Sequence, residues 1–174
     1  MSLPTLLELE QKAYKANLLL RVQVRRPLDL WSFKVVVAQT IDVEKIQILG
    51  EMKGWAYKGY RGLQLDTMRV RQKAPEGIGH LIWAATMAWS LESTPCKKAR
   101  LLAIFDDEHQ HARLTRYFRR RKFHHIREVS SSLLDLPLRM VWGGAGSLMV
   151  GDCMDIYEHS FRQLCSKSLL RYSS

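Results

Sequence analysis

The hydrophobic period of this chain switches from helical to alternating and back again, and that order restricts the fold more than any other property of the sequence. After Leu3-Pro4-Thr5, the residues Leu6, Leu7, Leu9, Ala13, Tyr14 and Ala16 recur at helical spacing, with Pro4 tolerated in the first turn. From Leu18 the pattern changes to runs rich in Val, Ile and aromatics: Leu18 to Arg26, Phe33 to Ile41 and Glu44 to Tyr57. Arg25-Arg26-Pro27-Leu28-Asp29, Asp42 and the turn at Gly59 to Gly62 separate them. From Leu63 to Val70, the set Leu63, Leu65, Thr67, Arg69 alternates with Gln64, Asp66, Met68, Val70. The pattern predicts a meander of three or four antiparallel strands.

Helical spacing then returns. Gly77-Ile78-Gly79 opens a segment in which Leu81, Ile82, Ala85, Ala88, Trp89 and Leu91 share helical positions. Ala99 to Phe105 is short and mostly apolar, as a buried strand is. Asp106-Asp107-Glu108 starts the next helix, with acids at the end its dipole favours. Leu114, Tyr117, Phe118 and Arg121 hold one face of it, and Arg113, Arg116 and Arg120 another. Ile126 to Ser130 and Leu138 to Leu148 read as strands, and Asp155 to Arg171 as a last helix. With 174 residues there is room for one core and not for two ordinary domains. The expected architecture is a single α+β domain over 1–174: a mostly antiparallel sheet flanked by helices, with a C-terminal helix.

Composition removes several classes. Hydrophobic residues make up 47% and charged residues 25%, which excludes a disordered chain. The apolar run Leu81 to Trp89 falls well short of the roughly 18 residues a spanning helix needs, so no membrane role is expected. The N-terminus carries no basic flank and apolar core of a secretory signal. Cys96, Cys153 and Cys165 are too scattered for a disulfide framework or a metal knuckle, so a reducing, cytoplasmic setting is expected. Neither His109 and His111 nor His124-His125 makes a metal-binding pattern, and no metal is expected. The formal charge of +10 favours anionic partners. Seven basic residues and no acid lie between Arg113 and Arg127.

The chemistry concentrates between Leu63 and Val129. Two glycines at i and i+2 ahead of a helix let the backbone turn tightly and come close to a ligand. The first-turn N–H groups point outward, unpaired, at the positive end of the dipole, which makes an anion site. Strand, Gly77-Ile78-Gly79-His80-Leu81-Ile82 loop and helix, strand Ala99 to Phe105, then a helix closing on Tyr117-Phe118-Arg119-Arg120-Arg121-Lys122-Phe123 resembles the acyl-CoA-binding core of the GNAT-type N-acetyltransferases. The resemblance covers about 63–129. In that family a bulge splays the strand before the loop from its neighbour, pantetheine lies in the gap as a pseudo-strand, and loop amides hold the pyrophosphate. By resemblance, Met68, Arg69 and Val70 offer backbone groups to pantetheine, and Gly77, Ile78, Gly79, His80 and Leu81 face the pyrophosphate.

This chain departs from the family pattern at three places. Ala74-Pro75-Glu76 stands where the family has Arg-Gly, Lys122 replaces the glycine of the closing Gly-Phe, and Phe118 takes the usual place of the tyrosine, with Tyr117 one residue earlier. Arg69, Arg71, Lys73 and the Arg116/Arg120 face are the cations on hand to replace the lost one. The resemblance implies an N-acyltransferase using acetyl-CoA or another acyl-CoA and an amine acceptor that the sequence does not specify. Tyr117 is the candidate acid for the leaving thiolate. Asp66, on the strand before the loop, is the candidate base, and Glu51 a weaker one. The main alternative is a catalytically silent CoA-binding or regulatory module, motivated by the lost Arg-Gly. A nucleic-acid-binding protein ranks third, because helical spacing turns Tyr117 and Phe118 inward and cations at a helix C-terminus need no ligand. Trp142-Gly143-Gly144-Ala145-Gly146-Ser147 reads as a bulged or closely packed strand. Five tryptophans and an apolar last helix are compatible with a homodimer.

Overall fold

The structure, a computed structural model, describes residues 2–104, 108–129, 146–167 and 169–170. The first helix, α1 (Leu6–Lys15), begins at a capping box. Thr5 Oγ1 accepts from the Glu8 N–H at 3.2 Å and Glu8 Oε2 accepts from the Thr5 N–H at 2.6 Å. A second tie joins it to the body of the protein, where the Leu6 N–H donates to Glu92 Oε1 at 2.8 Å.

The expected meander follows: β1 (Leu18–Arg25), β2 (Trp31–Asp42), β3 (Lys45–Ala56) and β4 (Leu63–Val70), each antiparallel to the one before. Alternation decides which side is buried. Leu20, Val35, Val37 and Phe33 face the core, while Arg21, Gln23 and Lys34 lie on the opposite side.

Helix α2 (Ile78–Ser93) is apolar all round and is buried accordingly, between the sheet and the C-terminal helix. Trp83, Leu81, Ile82 and Met87 are almost wholly inaccessible. Then come β5 (Lys98–Ile104), α3 (Glu108–Arg120), β6 (Phe123–Val129), β7 (Gly146–Asp152) and α4 (Cys153–Ser166). All seven strands form one sheet in the order β1-β2-β3-β4-β5-β7-β6, antiparallel except for β4 with β5. The α+β class with a C-terminal helix is therefore as expected.

Most strand ends shift by one or two residues from those expected, and a few boundaries have a visible cause. β6 starts at Phe123 instead of Ile126, because α3 ends abruptly: Lys122 takes φ 71 and turns the chain straight into the strand. α4 starts at Cys153 instead of Asp155, since Asp152 caps it by accepting from the Met154 and Asp155 N–H groups, and it stops at Ser166 instead of Arg171. Of the expected strand Leu138 to Leu148, only Gly146 to Leu148 falls within the described residues, in β7; Trp142-Gly143-Gly144-Ala145 lies outside them. No described helix is long and apolar enough to cross a membrane.

Candidate functional site

β4 and β5 run side by side for two residue pairs and then part. Their ladder consists of Leu63↔Ala99 and Gln64↔Arg100, although β4 continues to Val70 and β5 to Ile104. The cause lies on the other side of β4. Lys53 pairs with Thr67 and Gly54 with Leu65, so Asp66 is an extra residue, bulged out of the β3–β4 ladder. A bulge adds twist and bends its strand. Past Gln64, the main-chain groups of β4 that face β5 have no ladder partner among the described residues, which leaves an edge inside the sheet.

α2 starts beside that edge. Gly77 caps it in the left-handed region at φ 102, a conformation that favours glycine. Ile78 donates to the Pro75 carbonyl at 3.4 Å and Leu81 to the Gly77 carbonyl at 2.9 Å, while the N–H groups of Gly79 and His80 have no acceptor among the described residues. A Cβ at Gly79 would sit 3.6 Å from Met68 Cε and 3.9 Å from Val70 Cγ2, so the helix mouth rests against the diverging part of β4. Met68 reaches further, to α3, where the Tyr117 hydroxyl lies 3.8 Å from its sulfur and accepts from Trp83 Nε1 at 3.3 Å. Through Met68, the helix mouth, the parted strand and the Tyr117 hydroxyl form one continuous surface. Phe118 faces elsewhere, edge-on to Trp83 and Phe123 in the core.

The unspent positive charge at this mouth comes from Arg121, a residue that the loop sequence does not contain. Arg121 lies over the Tyr117 ring, its guanidinium carbon 3.6 Å from the centroid, with Nε buried and unpartnered among the described residues. Burial pushes its pKa down, with Tyr117 pulling the other way. His80 and His159 meet edge-on at 6.3 Å, and His80 Nδ1 is buried without a partner among the described residues. Burial, then Arg121, His159 and Lys167, push the His80 pKa down to about 4 against the opposing pull of Glu76. Two open amides, an unmatched guanidinium nitrogen and an unmatched imidazole nitrogen thus gather at the positive end of α2, a set that suits an anion.

The other predicted residues are placed as follows. Asp66 is exposed at the bulge and accepts from Thr67 Oγ1 at 3.2 Å. Arg69 and Val70 are exposed at the end of β4. Ile78 and Leu81 point their side chains into the core and use their amides within the turn, so only Gly79 and His80 keep open donors. Gly77 lies under Leu169, and Glu76 pairs with Lys167, whose hydrogen bond and charge hold the Glu76 carboxyl below its usual range. Glu51 is taken up by Lys34 at 2.9 Å and Lys53 at 3.7 Å. Arg116 does not join the mouth. It lies one position, about 100°, around α3 from Tyr117. There it lines a separate cleft with His111, Thr115, Arg119, His125, Glu128 and Ser147.

Helical phase from Tyr117 identifies Arg121 as its i+4 neighbour, which is the signal that finds it. His159 and Lys167 carry no such signal, since they reach α2 only through the packing of α4 on it. No protein-family model matches this sequence, and no curated protein matches it either.

Proposed function

We propose that this protein is an acyl-CoA-dependent N-acyltransferase on a GNAT-like core. The observation that carries the reading is the parting of β4 from β5 at the Asp66 bulge, directly beside a glycine-capped helix mouth with open donors. The pantetheine arm of acetyl-CoA or another acyl-CoA takes the vacated ladder edge of β4 at Met68, Arg69 and Val70. The diphosphate meets the Gly79 and His80 amides and Arg121. Arg121 takes the place of the cation missing from Ala74-Pro75-Glu76.

The thioester then lies near Tyr117. The acceptor nitrogen attacks the carbonyl carbon, a C–N bond forms and the C–S bond breaks. Asp66, directly or through water, removes the proton from nitrogen, and the Tyr117 hydroxyl protonates the departing thiolate. The products are an amide and free CoA thiol. The test is a screen of amines with acetyl-CoA, read as release of free thiol. One or more amines should give turnover that Tyr117→Phe suppresses.

A second reading, a silent CoA-binding module, draws on the contact of Leu169 with Gly77 and the Lys167–Glu76 pair, which occupy one side of the loop. Under that reading acetyl-CoA stabilises the protein and no amine releases thiol.

A further inference from the structure

On the opposite side of α3 from Tyr117, a cleft of about 410 Å³ opens toward β6 and β7. Its floor is a hydrogen-bonded chain with the protons already assigned. Ser147 Oγ donates to Glu128 Oε1 at 2.8 Å, and a carboxylate can only accept. The single hydroxyl proton is thereby used, so His111 Nε2, 3.1 Å from the same oxygen, is the donor to it. His125 Nε2 likewise donates to Glu128 Oε1 at 2.9 Å.

This order excludes two uses of the cluster. Ser147 is 1% exposed and receives a proton from His111 instead of giving one up to it, so it is not an activated nucleophile. Among the described residues, no group of three His, Cys, Asp or Glu is arranged to hold a metal ion.

The cleft retains unspent donors. Arg116 and Arg119 line it one turn apart, and neither has a carboxylate partner among the described residues. Arg116 uses Nε on the Ala112 carbonyl at 3.3 Å. Thr115 Oγ1, between them in sequence, is buried with no hydrogen-bond partner among the described residues. A buried hydroxyl without a partner is uncommon enough to need an explanation. Two guanidiniums line a cleft with one carboxylate, Glu128, whose Oε1 is already taken by Ser147 and His125, so the cleft keeps an excess of positive charge. Arg116 sits in the middle of α3, where the helix dipole gives a cation no benefit.

We propose that this cleft is a binding site for a phosphate monoester carried on a small molecule, separate from the α2 mouth. The dianion spans Arg116 and Arg119 and accepts from Thr115, and the remaining volume takes the body of the ligand. The site stands whether or not the acyl-CoA reading holds, since it shares no residue with the helix mouth.

The experiment is a titration of the full chain with inorganic phosphate and, separately, ribose 5-phosphate, at ionic strength matched with chloride. It is read by the side-chain NMR signals of His111 and His125, which belong to this cleft and not to the other. Both probes should shift these signals saturably, with ribose 5-phosphate the tighter. The double variant Arg116→Gln/Arg119→Gln should weaken binding by about tenfold or more, the scale of a lost charge-assisted contact. Thr115→Val should weaken it by several-fold, and Gly79→Asp should leave it unchanged. The proposal is overturned by signals that do not move, by shifts that chloride reproduces, by shifts that survive the double arginine variant, or by a response that Gly79→Asp abolishes. Tighter binding of a single-stranded RNA oligonucleotide than of ribose 5-phosphate at the same signals would also overturn it, in favour of a nucleic-acid surface.

Discussion

Tyr117 and Phe118 are neighbours in sequence and serve different surroundings. Phe118 completes an aromatic cluster with Trp83 and Phe123, whereas Tyr117 turns its hydroxyl to Met68 and the indole of Trp83. Either tyrosine or phenylalanine can fill a core position, and under the proposed function the place that GNAT-type enzymes give to a tyrosine carries Phe118 here while Tyr117 offers its hydroxyl one residue earlier. The sequence singles out the Tyr117 hydroxyl but not the Met68 and Trp83 neighbours it meets, because those depend on where β4 meets α3. Removing the hydroxyl by Tyr117→Phe should lower kcat by roughly 10²-fold if it protonates the thiolate. Loss of the Trp83 partner should cost about 1 kcal/mol of stability, checked by denaturant unfolding. A turnover equal to wild type would remove Tyr117 from the chemistry. His80 gives a pH prediction. Its imidazole is held neutral, with a pKa near 4 in the fold against about 6.5 unfolded, so the unfolded chain binds the extra proton first. The stability contributed above pH 6.5 should therefore be lost as pH falls from 6.5 to 4. His80→Gln should flatten that part of the Tm-against-pH curve, and an unchanged slope would contradict the assignment.

At the scale of elements, alternation and helical spacing were enough for α1, the four-strand meander and α2, because each buries one face or all of itself against the core. Other features depended on contacts that sequence spacing does not encode. The bulge at Asp66 is one: nothing in Leu63 to Val70 marks it, and it arises where β4 crosses Gly54 of β3. A Cβ at Gly54 would collide with the Gln64 carbonyl oxygen and stand 2.7 Å from Phe33 Cζ. Gly54→Ala should therefore destabilise the protein by about 2 kcal/mol or more, measured by thermal unfolding, because backbone has to move. It should also weaken acetyl-CoA binding, since the same backbone sets the parting of β4 from β5. Normal stability together with normal binding would show that the bulge is not so constrained. The end of α3 is another such feature. Lys122 adopts the left-handed conformation that glycine usually supplies, which hid the start of β6 from a reading based on turn residues. Charge alone suggests Arg116 for the mouth, whereas its helical phase takes it to the cleft lined by His111 and Glu128.

Across the whole molecule, two groups of cationic and donor side chains lie on either side of α3, in a chain whose formal charge is +10. The C-terminal helix has a double part: it covers the apolar α2, and its middle and its C-cap bring His159 and Lys167 to the helix mouth. The cation of the site, Arg121, arrives from the end of α3, so it is not contained in the loop sequence. The proposed function requires that the mouth of α2 and the open edge of β4 hold an acyl-CoA. The most direct measurement is the melting temperature with and without acetyl-CoA, for the wild type and for Gly79→Asp. Position 79 has room for a side chain, and an acid in the first turn suits the helix dipole, so the variant should fold. At about a hundred times its dissociation constant, acetyl-CoA should raise the wild-type Tm by roughly 5–10 °C, and the variant should show no rise. An unchanged wild-type Tm, or an equal rise in the variant, would contradict the assignment of the site.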